Sequence, residues 1–277
     1  MITPVARYKG HFMKTLMALI LTLALSSIVQ AEKIELELLD RSDFDRYVNE
    51  LLLQSLKAQG HEAVITPFSD KTNTRRVRKL VVAGRNKFTW AKSSVSFAGK
   101  ETLVQISTPL QGEVTSEQVL LITPGSQHLF DDIKTLEDLQ NSPRTAALGE
   151  GSPAVQYWKQ NNLKYITVEG GRKVLIKMQL KGGRGFDYTT KGVYSALALQ
   201  KKNPGLAIEE NILLVFPEQY FLFFSKEYGD LIPIFEKALA DAQASGLIKK
   251  LFDKHFSKNR NDESINVDKR TRIHLSI

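Results

Sequence analysis

The sequence predicts an α/β protein with enough residues for two lobes. Strand and helix patterns alternate from residue 33 onward, which is typical of strands and helices packed in layers. The chain has 277 residues, of which 42% are hydrophobic and 25% charged, and these fractions are ordinary for a globular protein. Residues 32–277 suffice for one large domain or for two lobes that each bury a core.

The first 31 residues predict a cleavable export signal, with the cut after Ala31. Lys9 and Lys14 precede an apolar run from Leu16 to Leu25, and Val29-Gln30-Ala31 supplies small residues at the −3 and −1 positions. Spanning a bilayer takes about 20 apolar residues, so the run is too short for a comfortable span. Met13 is an alternative start, and a membrane-anchoring first helix is the alternative interpretation.

The first half of the remaining chain begins with a strand and an amphipathic helix. Lys33 to Leu39 alternates as a strand does, Ser42 and Asp45 form the pattern of a capping box, and Gly60 marks the helix end. The apolar stripe of this helix has helical spacing and comprises Phe44, Tyr47, Val48, Leu51, Leu52 and Leu56. A strand at Glu62 to Pro67, a basic helix at about Asn73 to Ala83 and a short strand at Lys87 to Ala91 follow.

The second half repeats this alternation. Strands are predicted at Gln118 to Thr123, Thr145 to Leu148, Phe186 to Tyr188, Ile212 to Phe216 and Tyr220 to Ser225. Helices are predicted at Leu136 to Leu139, after Ser152-Pro153, at Arg172 to Lys181, from a Thr190 cap to about Gln200, at Asp230 to Ser245, and after Gly246. The chain turns polar between Ser257 and Arg272, so we expect an extended or mobile tail there.

Composition excludes several functions. The chain has no cysteine, which rules out disulfides, a thiol nucleophile, a thiolate metal site and a lipid anchor on an N-terminal cysteine. The five histidines are scattered without metal-ligand spacing. The formal net charge is +8, and the three basic residues of the signal leave +5 on residues 32–277. A basic cluster at Arg75 to Lys79 and the basic tail can attract nucleic acid, but an exported protein meets little of it, so we expect no nucleic-acid partner.

Catalytic motifs are missing as well. Gly149 to Pro153 is glycine-rich but has neither the second flank of a nucleophile elbow nor the Gly-Lys-Ser/Thr of a phosphate-binding loop. Ser152 therefore fits a helix cap better than a nucleophile. Adjacent acids such as Asp131-Asp132 diverge in direction. We expect no enzyme activity, no metal and no cofactor.

The order of several motifs resembles a known family. These are Leu136-Glu137-Asp138-Leu139, Gly149-x-Gly151-Ser152, Gly-Arg-Gly-Phe-Asp187, Tyr220-Phe-Leu-Phe-Phe-Ser225-Lys, and the closing stretch from Leu239 to Phe252. Together they resemble the solute-binding proteins of family 3, the periplasmic receptors of amino-acid uptake systems, and the chain is similar to a divergent member. The resemblance spans most of Lys33 to Phe256.

The resemblance implies a two-lobed periplasmic-binding-protein-like (type 2) α/β fold with two hinge crossovers. Lobe one would comprise residues 32–116 and 216–277, and lobe two residues 117–215. A monomer would hold a small polar ligand between the lobes and close on it about the hinge.

The resemblance also implies ligand-binding residues. The family's carboxylate-binding arginine falls on Lys100, and its lobe-two aspartate on Asp187. Gly151 and Ser152 build a helix start that attracts anions, although Glu150 beside it opposes this. Trp90 would supply a stacking face, with Ser93 and Ser94 as hydroxyl donors and Tyr188 as a second aromatic. Core packing is the alternative role for each aromatic residue.

These expectations combine into one functional hypothesis. The protein would move freely in the periplasm, capture a small, amino-acid-like polar ligand and deliver it to a membrane transporter. A receptor that signals to a membrane sensor protein is the nearest alternative. A dehydratase-like enzyme with Glu150 as a second acid near Asp187 is a further one, and a relic that binds nothing is the last.

Overall fold

The computed structural model describes residues 33–69, 72–112, 116–150, 152, 154–169, 176 and 185–276. The predicted signal segment and the proposed ligand residue Gly151 lie outside the described residues, as does the predicted helix at Arg172 to Lys181 apart from Ile176. Within them, the predicted alternation of strands and helices is confirmed.

Lobe one is built from both ends of the described chain. Its first part comprises β1 (Ile34–Leu38), α1 (Asp43–Ala58), β2 (Ala63–Pro67), α2 (Thr74–Val82), β3 (Phe88–Lys92) and β4 (Val104–Gln105). Its second part comprises β11 (Tyr220–Phe224), α6 (Ile232–Ala244) and α7 (Leu247–Arg260). The predicted capping box is present, because the Ser42 hydroxyl accepts from the Asp45 amide and the Asp45 carboxylate accepts from the Ser42 amide.

Lobe two lies between these two parts in sequence. It comprises β5 (Ser116–Ile122), α3 (Leu136–Asn141), β6 (Ala146–Gly149), α4 (Ala154–Gln160), β7 (Tyr165–Val168), β8 (Tyr188–Gly192), α5 (Val193–Lys202), β9 (Ala207–Ile208) and β10 (Ile212–Phe216). The prediction that Thr190 caps a helix is wrong, because Thr190 lies within β8 and α5 begins after Gly192.

The described strands form three sheets. In lobe one, β1 pairs in parallel with β2, and β11 lies between β3 and β4 as an antiparallel strand. Both sheets share one core with α1, α6 and α7, centred on Tyr47, Leu52, Phe88, Phe224 and Phe235. A further sheet, which includes the C-terminal strand β12 (Thr271–His274), has the order β12-β10-β5-β8-β6-β7, with β9 also paired to β5. Apolar residues cover it on both faces, as expected of a sheet between two helical layers.

The C-terminal tail differs most from expectation. Residues 261–276 are ordered against lobe two: Ile265 and Val267 pack on its core, and β12 (Thr271–His274) pairs in parallel with β10. The chain passes from the sheets of lobe one to that of lobe two between β4 and β5, returns between β10 and β11, and passes to lobe two again after α7. The tail is therefore part of lobe two rather than an extension of lobe one.

Ion pairs hold the tail at this third passage. The buried carboxylate of Glu117, at the start of β5, binds Arg260 of α7 at 3.2 Å and Arg272 of β12 at 2.8 Å. Arg270 is fully buried, donates to the carbonyl oxygens of Ile265 and Glu209, and lies 3.6 Å from the Glu209 carboxylate.

Another cluster of charges joins the two ends of lobe one. Glu50 of α1 binds Lys254 at 2.6 Å and His255 at 2.7 Å, both on α7. Hydrogen bonds from these two side chains lower the pKa of Glu50 below its ordinary value. Among the described helices, none combines the length and the apolar character needed to cross a membrane.

Candidate functional site

A cavity of about 420 Å³ lies between the lobes, and we call it the polar cavity. Lobe one contributes Lys92 and Val95, and the second crossover contributes Glu218. Lobe two contributes the remaining described lining residues: Gln118, Leu121, Ala147, Leu148, Gly149, Glu150, Ser152, Ala154, Tyr157, Ile176, Thr189, Thr190, Leu199 and Phe216. A molecule in this cavity would touch both lobes and the hinge.

Glu218 lines the polar cavity and is held by two hydrogen bonds. The residue is only 2% exposed, and a carboxylate at that depth needs partners. One of its oxygens accepts from the Lys92 ammonium and the other from the Ser94 hydroxyl. Lys92 also donates to Ser116 Oγ at 3.4 Å. This network ties β3 to both predicted crossovers.

Tyr157 of α4 brings a second buried polar group to the same cavity. Its side chain is fully buried, and its hydroxyl lies near Ser94 and Glu218 without forming a hydrogen bond of normal geometry. Burial, and then the negative charge of Glu218, raises the pKa of this hydroxyl. The group therefore stays protonated and keeps a hydrogen to donate.

Two polar side chains separate the polar cavity from a neighbouring one. Gln118 on β5 and Thr190 on β8 line both cavities, as Lys92 does. Neither the Gln118 amide nor the Thr190 hydroxyl forms a side-chain hydrogen bond within the described part of the chain. Both are available to a bound molecule on either side.

The neighbouring cavity measures about 370 Å³, and we call it the aromatic pocket. Four of its rings are half-buried and belong to Phe44, Trp90, Tyr194 and Tyr220. The Phe44 ring centroid lies 4.9 Å from that of Trp90 and 4.3 Å from that of Tyr220. Its other described lining residues are Ser42, Asp43, Lys92, Gln111, Ser116, Glu117, Gln118, Thr190, Lys191, Gly192, Ser195, Phe252 and Phe256.

The predicted ligand residues are divided between these places. Ser152 lines the polar cavity and accepts from the Ala154 amide at 3.3 Å, as a helix-start residue would. Trp90 lines the aromatic pocket. Ser94 binds Glu218, and the Ser93 amide donates to the Gln219 carbonyl oxygen. Their ligand contacts stay predictions.

Lys100 is held away from both cavity walls. Its ammonium donates to the carbonyl oxygens of Ser93 at 3.0 Å and Val95 at 2.8 Å, and it lies 4.8 Å from the centre of the Phe223 ring. Burial, and then the charge of Arg78, lowers the pKa of Lys100. The Lys100 ammonium thus binds backbone carbonyl oxygens here, and the carboxylate-binding role that the resemblance implied stays a prediction.

Asp187 and Tyr188 lie at the start of β8, and this location explains why neither lines a cavity. β6 and β8 run in parallel, and it is their ends, Gly149 and Gly192, that face the clefts. Asp187 instead accepts from Arg144 at 2.8 Å and from the Thr145 amide at 2.7 Å. Tyr188 is fully buried in the core and accepts from Trp158 Nε1 at 3.3 Å. Asp187 is therefore not brought to the cavity wall beside Glu150.

Within the described residues, no group of three or more histidine, aspartate or glutamate side chains is placed to hold a metal ion. The expectation that the protein binds no metal stays a prediction.

Comparisons with known proteins bear on the fold. No family model matches the chain, and no curated protein matches it in sequence. Among the solved structures that are similar to this chain, three illustrate the fold. They are the GluR0 ligand-binding core in complex with L-glutamate, a putative ABC transporter binding component from Wolinella succinogenes complexed with lysine, and the second substrate-binding domain of a putative amino-acid ABC transporter from Streptococcus pneumoniae.

The similarity covers nearly the whole of each structure. For the GluR0 core, the identity is 14% and the TM-score 0.55, over 82% of this chain and 99% of that one. For the Wolinella protein, the values are 14% and 0.54, over 81% and 95%. For the Streptococcus domain, they are 18% and 0.52, over 81% and 100%. The chain thus shares the two-lobed α/β fold of these three solved structures, at low sequence identity.

Proposed function

We propose that this protein is an exported solute-binding protein that captures a small polar ligand in the polar cavity. The observation that carries the proposal is the location of that cavity between the lobes, with walls from both lobes and from a crossover. Ligand pockets favour clefts between domains, and lobes joined by a few crossover residues close around their ligands. A ligand at this position would stabilise the closed form because it contacts both lobes at once.

The charges of the cavity wall favour a ligand that is neutral or positive. Its described charged residues are Lys92, Glu150 and Glu218. Lys92 and Glu218 neutralise each other, and Glu150 is exposed at the rim. Glu150 has no ion-pair partner among the described residues, so an acidic ligand would be repelled by its negative charge, whereas an ammonium group would be attracted to it.

An amino-acid-like ligand agrees with the similar structures, which hold L-glutamate and lysine. Of these two, the basic amino acid suits the charge of this wall. The Gln118 amide, the Thr190 hydroxyl and the Tyr157 hydroxyl add hydrogen-bonding groups without adding charge.

Export to the periplasm and delivery to a membrane transporter complete the proposal. The basic, apolar and small-residue pattern of residues 1–31 supports export. A freely diffusing monomer of this kind is useful only where it is retained near its membrane partner.

The test is to recover the protein from periplasm and identify what co-purifies by native mass spectrometry. A thermal-shift screen over basic, neutral and acidic amino acids follows, since a ligand at about 100 times its Kd adds roughly 2.7 kcal/mol of stability. We expect basic or neutral compounds to raise the Tm and to be returned chemically unchanged. A ligand converted to product would instead support the enzyme alternative.

Glu150→Gln supplies the matched variant. It removes the negative charge of the cavity rim and should weaken the binding of a basic ligand about tenfold or less, because the charge is exposed. Glu263→Gln removes another exposed acid, which lies outside the cavity, and should have no effect on binding. If acidic amino acids gave the largest shift, or if no compound bound, the proposal would be wrong.

A further inference from the structure

We infer that the aromatic pocket is a second binding site, for a small uncharged aromatic molecule. The site goes beyond the proposed function, because its walls differ from those of the polar cavity except for Lys92, Gln118 and Thr190. Residues of α1 and α7 line the aromatic pocket and do not line the polar cavity, whereas Ser152 and Tyr157 line only the polar cavity.

The first argument is the incomplete burial of the rings. Phe44, Trp90, Tyr194 and Tyr220 pack against the core of lobe one and yet remain half-buried. Four neighbouring aromatic residues that open into one cavity form an apolar patch, and such patches on soluble proteins mark binding sites. A further ring stacked on Trp90 or Phe44 would complete their burial with the offset or edge-on geometry that aromatic pairs prefer.

The second argument is the pairing of the charges in the pocket wall. Asp43 binds Arg46, Lys92 binds Glu218, and Glu117 binds Arg260 and Arg272. Lys191 also has an interaction partner. A charged ligand would have to compete with these pairs, so the wall selects a ligand without net charge.

The third argument is the presence of unpaired hydrogen-bonding groups at one side only. The Gln118 amide can both donate and accept, and the Thr190 hydroxyl lies on the adjacent strand. Stacking on the rings and one hydrogen bond to Gln118 together fit a ring that bears a hydroxyl group. The volume of about 370 Å³ admits a molecule of that size.

The experiment uses four matched probes with the full chain. Benzyl alcohol has a ring and a hydroxyl, cyclohexylmethanol lacks the aromaticity, benzoate adds a negative charge and benzylamine a positive one. Calorimetric titration should give a Kd for benzyl alcohol about tenfold or more below that of each other probe. The chain has two tryptophans, and Trp158 is fully buried, so a change in tryptophan emission would report on Trp90.

Variants locate the site and separate it from the polar cavity. Trp90→Ala should abolish binding of benzyl alcohol, and Gln118→Leu should weaken it about five- to tenfold. Tyr228→Ala removes a half-buried ring that lies outside both cavities and should change nothing. Glu150→Gln should leave benzyl alcohol binding intact, whatever it does to a polar ligand.

Three results would overturn the inference. The first is a titration in which benzyl alcohol changes neither the heat signal nor the tryptophan emission of the wild-type protein. The second is cyclohexylmethanol binding as tight as that of benzyl alcohol, which would make the pocket a general apolar cavity. The third is wild-type binding by folded Trp90→Ala protein, checked by circular dichroism; if that variant does not fold, Gln118→Leu decides in its place.

Discussion

Replacing Arg270 by methionine should destabilise lobe two severely. Arg270→Met keeps an unbranched side chain but removes the guanidinium, whose exposed fraction is 1%. The substitution takes away donors to the carbonyl oxygens of Ile265, at 2.6 Å, and Ile212, at 3.1 Å, and to that of Glu209. It also leaves the Glu209 carboxylate, whose exposed fraction is 0%, without its positive partner.

The magnitude follows from that burial. Breaking a buried ion pair by removing one partner costs about 3–5 kcal/mol, out of a total stability of roughly 5–15 kcal/mol. Each kcal/mol lowers the Tm of a protein of this size by about 2–4 °C, so the expected drop is about 6–20 °C. Glu209 retains donors in the Asn211 and Ile212 amides, each at 2.7 Å, which places the expectation toward the lower end.

Urea unfolding followed by circular dichroism measures the effect, and Arg272→Met is the matched control. Arg272 lies on the same strand with 40% of its side chain exposed, and its partner Glu117 keeps Arg260. Its loss should cost about 1 kcal/mol or less. The double variant Arg270→Met with Glu209→Gln should be less unstable than the two single effects summed. If Arg270→Met were as mild as the control, the reasoning about buried charge would be refuted.

Three further predictions concern lobe one and its turns. Glu50→Gln should make the Tm less dependent on pH in the acid range. Because the pKa of Glu50 is lowered in the folded protein, its stabilising effect is present at neutral pH and is lost as pH falls through that pKa. Thermal melts over a series of pH values measure this. Gly99→Ala should lower the Tm more than Gly125→Ala. Both glycines have a positive φ, of 83° and 84°, but only at position 99 would the new Cβ clash with a neighbouring side chain. Equal losses of Tm would contradict this. Tyr47→Phe should lower the free energy of unfolding, measured in urea, by about 1–3 kcal/mol, because the buried carbonyl oxygen of Leu110 loses the hydroxyl that donates to it. An unchanged urea midpoint would contradict this.

Local patterns predicted most of the fold. The capping box at Ser42 and the apolar stripe that follows it are both encoded within a few residues, so the sequence alone identifies α1. The tail was different, because β12 has only one apolar residue, Ile273, and depends on a distant partner, β10. The sequence around Arg270 is typical of an exposed charge, since only the fold brings Glu209 close to it.

The candidate site was predictable in part for the same reason. Ser152 follows β6 directly and is found by its position after a buried strand. Glu218 was missed, although an acid between two strongly apolar strands was a usable signal. Asp187 was chosen because it matches a family motif. No local pattern reveals that Arg144 binds it at the start of β8, away from the cavities.

The pairing of β12 with β10 has a consequence for how the protein can be divided. β10 consists of five fully buried residues, Ile212–Phe216, and β12 covers one of its two edges. A fragment that stops after β10 would expose that apolar edge as a template for aggregation. Lobe two is thus a discontinuous folding unit that cannot be completed until the residues of β12 have been made. Grafting this lobe onto a relative would require both segments to be transferred together.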